Sequence, residues 1–247
     1  MEPRRLRAPR ADASVLQEPP LSEAGERLDA NRARIASWDY DFQGRRAGRL
    51  RMMARHQALE ASRKYLEAFG LDQPEPCDPS APWFVTGHQP ELFHPGVWIK
   101  NFAVGHLARQ HGGVALNLIV DDDTPKWASI RVPGREDQEI VVRAVDFDDW
   151  MAEEPYEDWV ISSPGRFQAF PERVRTRLGS LVRDRILEEF WPLAERASER
   201  TDRVGLRFSA ARRGVESGWG LRNGDVPLSA VCQTEAFGWF ASHLLAH

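Results

Sequence analysis

The chain is poor in cysteine, has no long apolar run and carries no basic surplus, and each shortage closes off a class of protein. Its two cysteines, Cys77 and Cys232, stand far apart and form no CxxC or comparable metal-ligand pattern. A disulfide framework is therefore not expected, and a metal site is not expected either. No stretch approaches the roughly 20 apolar residues that cross a bilayer, and no hydrophobic segment follows the N-terminal arginines as it would in a secretory signal. The expectation is a cytoplasmic protein that does not enter membranes. Lys and Arg total 33 against 37 Asp and Glu, a formal net charge of −4. That lacks the basic excess of a nucleic-acid binder, so any anion site has to be local. Also missing are GxGxxG after a strand, GxxxxGK[ST], HExxH and GxSxG. Their absence argues against a dinucleotide oxidoreductase, a P-loop enzyme, a zincin and an α/β-hydrolase respectively.

What is present suffices for one main core, since 247 residues can bury a substantial apolar interior. Residues 1–20 are rich in Pro and Arg and read as a tail, with Arg4, Arg5, Arg7 and Arg10 solvated or facing an anionic surface. Residues 21–247 read as the α/β domain. Ser22 is placed to cap a helix through about Trp38. A longer helix is predicted from Arg45 to Phe69, where Leu50, Met53, Leu59, Leu66 and Phe69 recur at near-helical spacing and Gly70 supplies a stop. Four prolines make Leu71 to Pro82 a linker.

Residues 83–123 carry the most information. They read as a β-rich run ending at Thr86-Gly87, a polar loop with His88, Gln89 and His94, an amphipathic helix, and a second β-rich run ending at Asp121 in the triplet Asp121-Asp122-Asp123. Such a βαβ unit needs parallel strands, which brings the loop and the acids to one sheet edge. The carboxyl ends of parallel strands are where open α/β sheets bind ligands. Beyond it, Trp127 to Val132 and Gln138 to Ala144 read as a hairpin turning at Pro133 to Asp137, inserted after the βαβ unit. The acidic, aromatic stretch Phe147 to Trp159 reads as a loop, either a lid or one that tucks its rings into the core. Residues 166–202 are helical, with a break expected at Pro192, and Leu228 to Ala246 forms an apolar-faced helix. The abrupt apolar ending is read either as a docked last helix or as the N-terminal part of something longer.

Within the block, Gly87 sits where a residue without Cβ permits a turn and close approach to an anion. Pro90 and Pro95 stiffen a loop whose donors suit a carboxylate or phosphate. Gly96 allows tight packing at the helix start, and Lys100, one turn on, is a point charge within reach of the loop. Asp121, Asp122 or Asp123 could take an amine, a ribose hydroxyl or Mg²⁺. His88, His94 and Asp123 are therefore the candidate catalytic residues, with Gly87, Gln89, Gly96, Lys100, Asp121 and Asp122 as ligand-binding ones. The expected partner is a small-molecule substrate, with self-association left open and no cofactor specified.

The run Val85-Thr86-Gly87-His88-Gln89-Pro90, then Leu92, His94-Pro95-Gly96 and Lys100, and a β-run into Asp121-Asp122-Asp123, resembles the bacillithiol-biosynthesis cysteine-adding enzyme family, BshC. The resemblance covers about forty residues. It implies a Rossmann-like parallel core of nucleotidyltransferase type with an additional helical coiled-coil part, and a ligase role joining cysteine to a glucosaminyl-malate. His88 stands where that family usually has glutamine, and the acidic triplet lacks its histidine. The same His-Gln-Pro turn is similar, at different spacing, to WbqC-like proteins, which would imply a glycan-pathway role. The alternative to an enzyme is a small-ligand or protein-binding module that keeps the fold without the chemistry.

Overall fold

The structure is a computed structural model and describes residues 7, 9–12, 14–78, 80–92, 94–150, 153–183 and 186–247. Two compact units are present, residues 1–40 and Asp41–His247. In the first, a single 3-10 turn, Leu21–Glu23, leads into helix α1 (Ala24–Ala36). Ser22 lies inside that turn and no side chain caps α1, a small correction to the expected start. Arg4 and Arg5 lie outside the described residues, while Arg7 and Arg10 are exposed.

The second unit opens with a miniature hairpin, β1 (Asp41–Phe42) and β2 (Arg45–Arg46), that the sequence reading did not foresee. Its two turn residues, Gln43 and Gly44, both have positive φ, 52° and 87°, the geometry that two-residue hairpin loops demand. Helix α2 (Ala47–Ala68) follows and ends as expected at Gly70, whose φ of 63° lets the chain reverse. It buries Leu50, Ala58, Ser62, Tyr65 and Leu66.

The strands β3 (Trp83–His88), β4 (Val114–Ile119) and β7 (Gly224–Pro227) form one parallel sheet in the order β3-β4-β7. The fold is thus α/β, a three-stranded parallel sheet flanked by helices. Helix α3 (Pro95–Gln110) crosses from β3 to β4, and the register runs from Trp83↔Val114 to His88↔Ile119. The predicted βαβ unit is therefore present, with its second strand ending at Ile119 rather than Asp121. Central β4 reads Val-Ala-Leu-Asn-Leu-Ile, and none of its residues is exposed, as a strand covered on both faces requires. Because all three strands run the same way, His88, Ile119 and Pro227 end at one edge.

Between β4 and β7 lies a second structural layer. The hairpin β5 (Ser129–Glu136) and β6 (Glu139–Asp146) packs on α4 (Pro164–Leu178), which is followed by α5 (Leu187–Arg196) and α6 (Val204–Gly218). The hairpin is longer than expected. Pro133 and Gly134 lie within β5, and the turn is only Asp137-Gln138. A two-stranded ribbon leaves each strand one unpaired side, so it tolerates a proline. Gly134 is where Arg177 of α4 crosses: a Cβ there would lie 2.6 Å from its Nε.

The break expected at Pro192 falls earlier. Pro192 sits inside α5, and α4 stops at Gly179, with a φ of 53°. The last predicted helix is likewise two, α7 (Leu228–Cys232) and α8 (Glu235–Ala246), because Thr234 starts a new helix by accepting from Phe237 N at 3.2 Å.

This layer is held by aromatic packing. Trp191 packs in tilted contact with Phe167 at 4.5 Å and Phe170 at 4.4 Å, centroid to centroid, and Phe147, Tyr156, Trp159 and Phe208 are buried around them. Each such ring pair adds about 0.5–1.5 kcal/mol beyond its area burial. The 147–159 stretch thus tucks the rings of Phe147, Tyr156 and Trp159 into the core, although Trp150 stays half-exposed and residues 151 and 152 lie outside the described residues. Buried Asp148 fixes it by accepting from Trp159 Nε1, the Ser162 amide and hydroxyl, and the Ser163 amide.

Candidate functional site

The sheet's C-terminal edge meets the aromatic layer at a cavity of about 440 Å³. The loop after β3 contributes His88, Gln89, Glu91 and Leu92, and the segment after β4 contributes Asp123 and Lys126. Phe147, Tyr156 and Phe208 supply the apolar floor. The loop is close to α6 because Gly205 allows it: a Cβ there would lie 3.0 Å from Pro90 Cγ and 3.1 Å from Tyr156 Cβ.

The polar groups in the cavity are organised around Asp123. Gln89 donates its side-chain amide to Asp123 Oδ2 at 2.5 Å, and the Thr124 amide donates to Oδ1 at 2.8 Å. With the Lys126 and His88 charges adding to these bonds, the carboxyl is held below its ordinary range, so Asp123 is an anion at neutral pH. Its carbonyl accepts from Tyr156 N at 3.1 Å, which ties the 147–159 segment to the strand end. The Tyr156 phenol is pushed up by burial and by the Glu91 and Asp123 charges, so it remains a neutral hydroxyl. His88 Nδ1 lies 3.3 Å from the Gln89 carbonyl and 3.9 Å from the Glu91 carboxylate. A proton on Nδ1 would be shared with that carbonyl. A carboxylate, a cation, a histidine and a neutral phenol around one cavity form a set able to hold a zwitterion or a hydroxy acid and to move a proton.

The remaining sequence candidates are placed elsewhere. His94 does not join His88 in lining this cavity. It is the N-cap of α3, its Nδ1 accepting from Gly96 N at 3.0 Å with Pro95 in the first turn. Gly96 serves that cap, since a Cβ would lie 3.1 Å from the imidazole. Lys100 donates to the Gly87 carbonyl at 3.1 Å and so braces the end of an edge strand. Gly87 is in regular strand rather than a sharp turn, and it packs so closely on β4 that a Cβ would lie 3.0 Å from Leu118 O. Asp121 is buried and accepts from Ser229 N at 2.9 Å and Ser229 Oγ at 2.5 Å, which fastens β4's end to the start of α7. Asp122 is exposed. Among the described residues no group of three or more His, Cys, Asp or Glu is placed to hold a metal ion.

Sequence reasoning missed a buried charged network under the site. Arg212 of α6 bonds both Glu216 and Asp225, all three nearly inaccessible to solvent. Glu216 also accepts from Trp98 Nε1 at 2.6 Å and Asn101 Nδ2 at 2.7 Å, and Asp225 from Asn117 Nδ2 at 3.1 Å. Burial works against the Arg212 charge, but the Asp225 and Glu216 carboxylates outweigh it and hold the guanidinium charged. The network joins α3, β4, α6 and β7, and Arg212 reaches a small pocket shared with His88, Gln89 and Glu91. It fixes the platform from which the site loops project.

No helix among the described residues is long and apolar enough to cross a membrane. Comparison with protein-family models, with curated proteins and with solved structures gives no match.

Proposed function

We propose that the chain binds a small molecule bearing an amine or hydroxyl and an anionic group at the C-terminal edge of its parallel sheet. We further propose that it acts on this molecule as a ligase or transferase of the cysteine-adding, BshC-like kind that the sequence resemblance implies. The observation that carries this reading is the Gln89–Asp123 bond. It joins the two strand ends at a cavity that also holds His88 and Lys126, at the edge where parallel sheets bind ligands. In this reading Asp123 receives the amine or hydroxyl, Lys126 the anionic group, and the His88 imidazole is placed to accept a proton from the bound amine or hydroxyl. The parallel sheet is compatible with the Rossmann-like, nucleotidyltransferase-type core that the same resemblance implies.

Calorimetric titration with amino acids, sugar acids and nucleotides, followed by an assay for cysteine ligation, tests the proposal. His88→Ala and Asp123→Ala are expected to weaken binding at least tenfold, and turnover is expected only in the unmutated chain. Tight binding indifferent to both substitutions overturns the site. The engagement of Lys100 with Gly87 and of Asp121 with Ser229 favours a second reading, a binding module without chemistry. Saturable, Asp123-dependent binding without turnover of any bound ligand would identify it.

A further inference from the structure

We propose that the ligand of this site is amphipathic: a zwitterionic head in the polar cavity continuing into an apolar group seated between β5, α4 and α5. This rests on the reading of the polar cavity as a ligand site and makes its amino-acid ligand more apolar than cysteine. The observation behind it is a second cavity of about 330 Å³ walled by Trp98, Ile130, Val132, Val174, Leu178 and Phe190. It adjoins the first, and the two share Glu91, Leu92 and Ile130 as lining. The loop after β3 therefore faces a polar space on one side and an apolar one on the other.

Protein interiors are close-packed, with few voids larger than a water molecule. An apolar hollow of this size beside a polar cavity is the usual form of a binding pocket, in which apolar walls hold the body of a ligand and a few polar groups orient its head. Arg131 and Arg212 also line the hollow; Arg131 is exposed to solvent, and the Arg212 guanidinium is already bonded to Glu216 and Asp225. It offers no uncompensated charge to draw in an anion. The hollow has room for an aryl group or an alkyl chain of roughly six to ten carbons, given that a dry cavity of ~150 Å³ accepts benzene. The Asp123 carboxylate and the Lys126 ammonium then assign the head: an amine beside an acid, as in a 2-amino acid with a long apolar side chain.

The test is a calorimetric titration of the full chain with a homologous series of 2-amino acids: 2-aminobutyrate, norleucine and 2-aminooctanoate. Affinity is expected to rise about fourfold for each methylene that enters the hollow. Val182→Trp, at the half-exposed rim, and Leu178→Trp, on its wall, are expected to abolish that rise while leaving 2-aminobutyrate binding unchanged. Asp123→Asn is expected to weaken all three ligands by the same factor. Affinity independent of chain length, with binding still dependent on Asp123, overturns the apolar subsite and leaves the polar site standing. A rise that both tryptophan variants fail to diminish shows that the side chain lies elsewhere and also overturns it. Absence of saturable binding by every member does so too; Asp123-dependent binding of sugar acids would then show that the polar-site reading survives by itself, and failure of those as well removes both.

Discussion

The side-chain amide of Gln89 donates to Asp123 Oδ2 at 2.5 Å, across 34 positions of sequence and the whole of helix α3. The contact exists because β3 and β4 are parallel and in register from Trp83↔Val114 onward, so both chain exits leave the same edge. It makes Asp123 a fixed anion and Gln89 its holder, which sets an expectation for pH.

The Asp123 carboxyl is depressed first by the Gln89 amide, then by the Thr124 amide, with Lys126 and His88 adding to them. A depressed carboxyl contributes stability that is fully present above the unfolded aspartate value and is lost as pH falls through the lower folded value, here below about pH 4. In Gln89→Leu the Asp123 titration midpoint, followed by NMR of the side-chain carboxyl, is expected to move up toward the ordinary aspartate value. An unmoved midpoint would show that the bond does not hold the charge.

The two histidines of the loop are expected to separate cleanly. His94→Ala removes a helix cap and should cost about 1 kcal/mol in denaturant unfolding, with ligand affinity unchanged, and His94→Asn should restore most of the loss. His88→Ala should do the reverse, weakening binding with little change in stability. Equal losses of affinity in the two variants would place His94 in the site after all.

Arg212→Met leaves the buried Glu216 and Asp225 carboxylates without their shared cation. Removing one partner of a buried charged network typically costs about 3–5 kcal/mol, and a loss of that size lowers Tm by roughly 10 °C in a chain of this length. The control is Arg166→Met, whose pairing with Asp146 and Asp149 is partly exposed and is expected to count for under about 1 kcal/mol. A near-silent Arg212→Met would mean that the network is dispensable.

Glu157 is pushed above the ordinary glutamate range by partial burial and by the charges of Asp121, Asp158 and Asp122. A raised carboxyl destabilises the native state while ionised, and that penalty disappears as pH falls through its folded value. Glu157→Gln should therefore raise Tm at pH 7 by roughly 1 °C, a small gain because water screens much of the repulsion. The difference should vanish near pH 4, and a lowered Tm at pH 7 would contradict the assignment of the strain.

Local pattern determined the βαβ unit of residues 83–123, the helix ending at Gly70 and the hairpin near 130–145. Each rests on interactions between near neighbours: alternating or 3.6-residue periodicity, a glycine in the left-handed region, a crossover long enough for one helix. The sequence therefore also determined that the His88 loop and the Asp121–Asp123 segment share an edge. Which of those polar residues face the cavity was not legible. His94, Lys100 and Asp121 have the same chemistry as His88, Lys126 and Asp123, and only their distances to Gly96 N, the Gly87 carbonyl and Ser229 commit them to structure. The Arg212–Glu216–Asp225 network was hidden for a related reason. A helix reading Val-Gly-Leu-Arg-Phe-Ser-Ala-Ala-Arg-Arg-Gly-Val-Glu-Ser-Gly has the charge of a solvated surface element, and its burial follows from the pairing of β7 with β4 and from Trp98 and Asn101 arriving on α3. Contacts made across more than a hundred residues depend on how whole elements pack, and tertiary structure alone decided them.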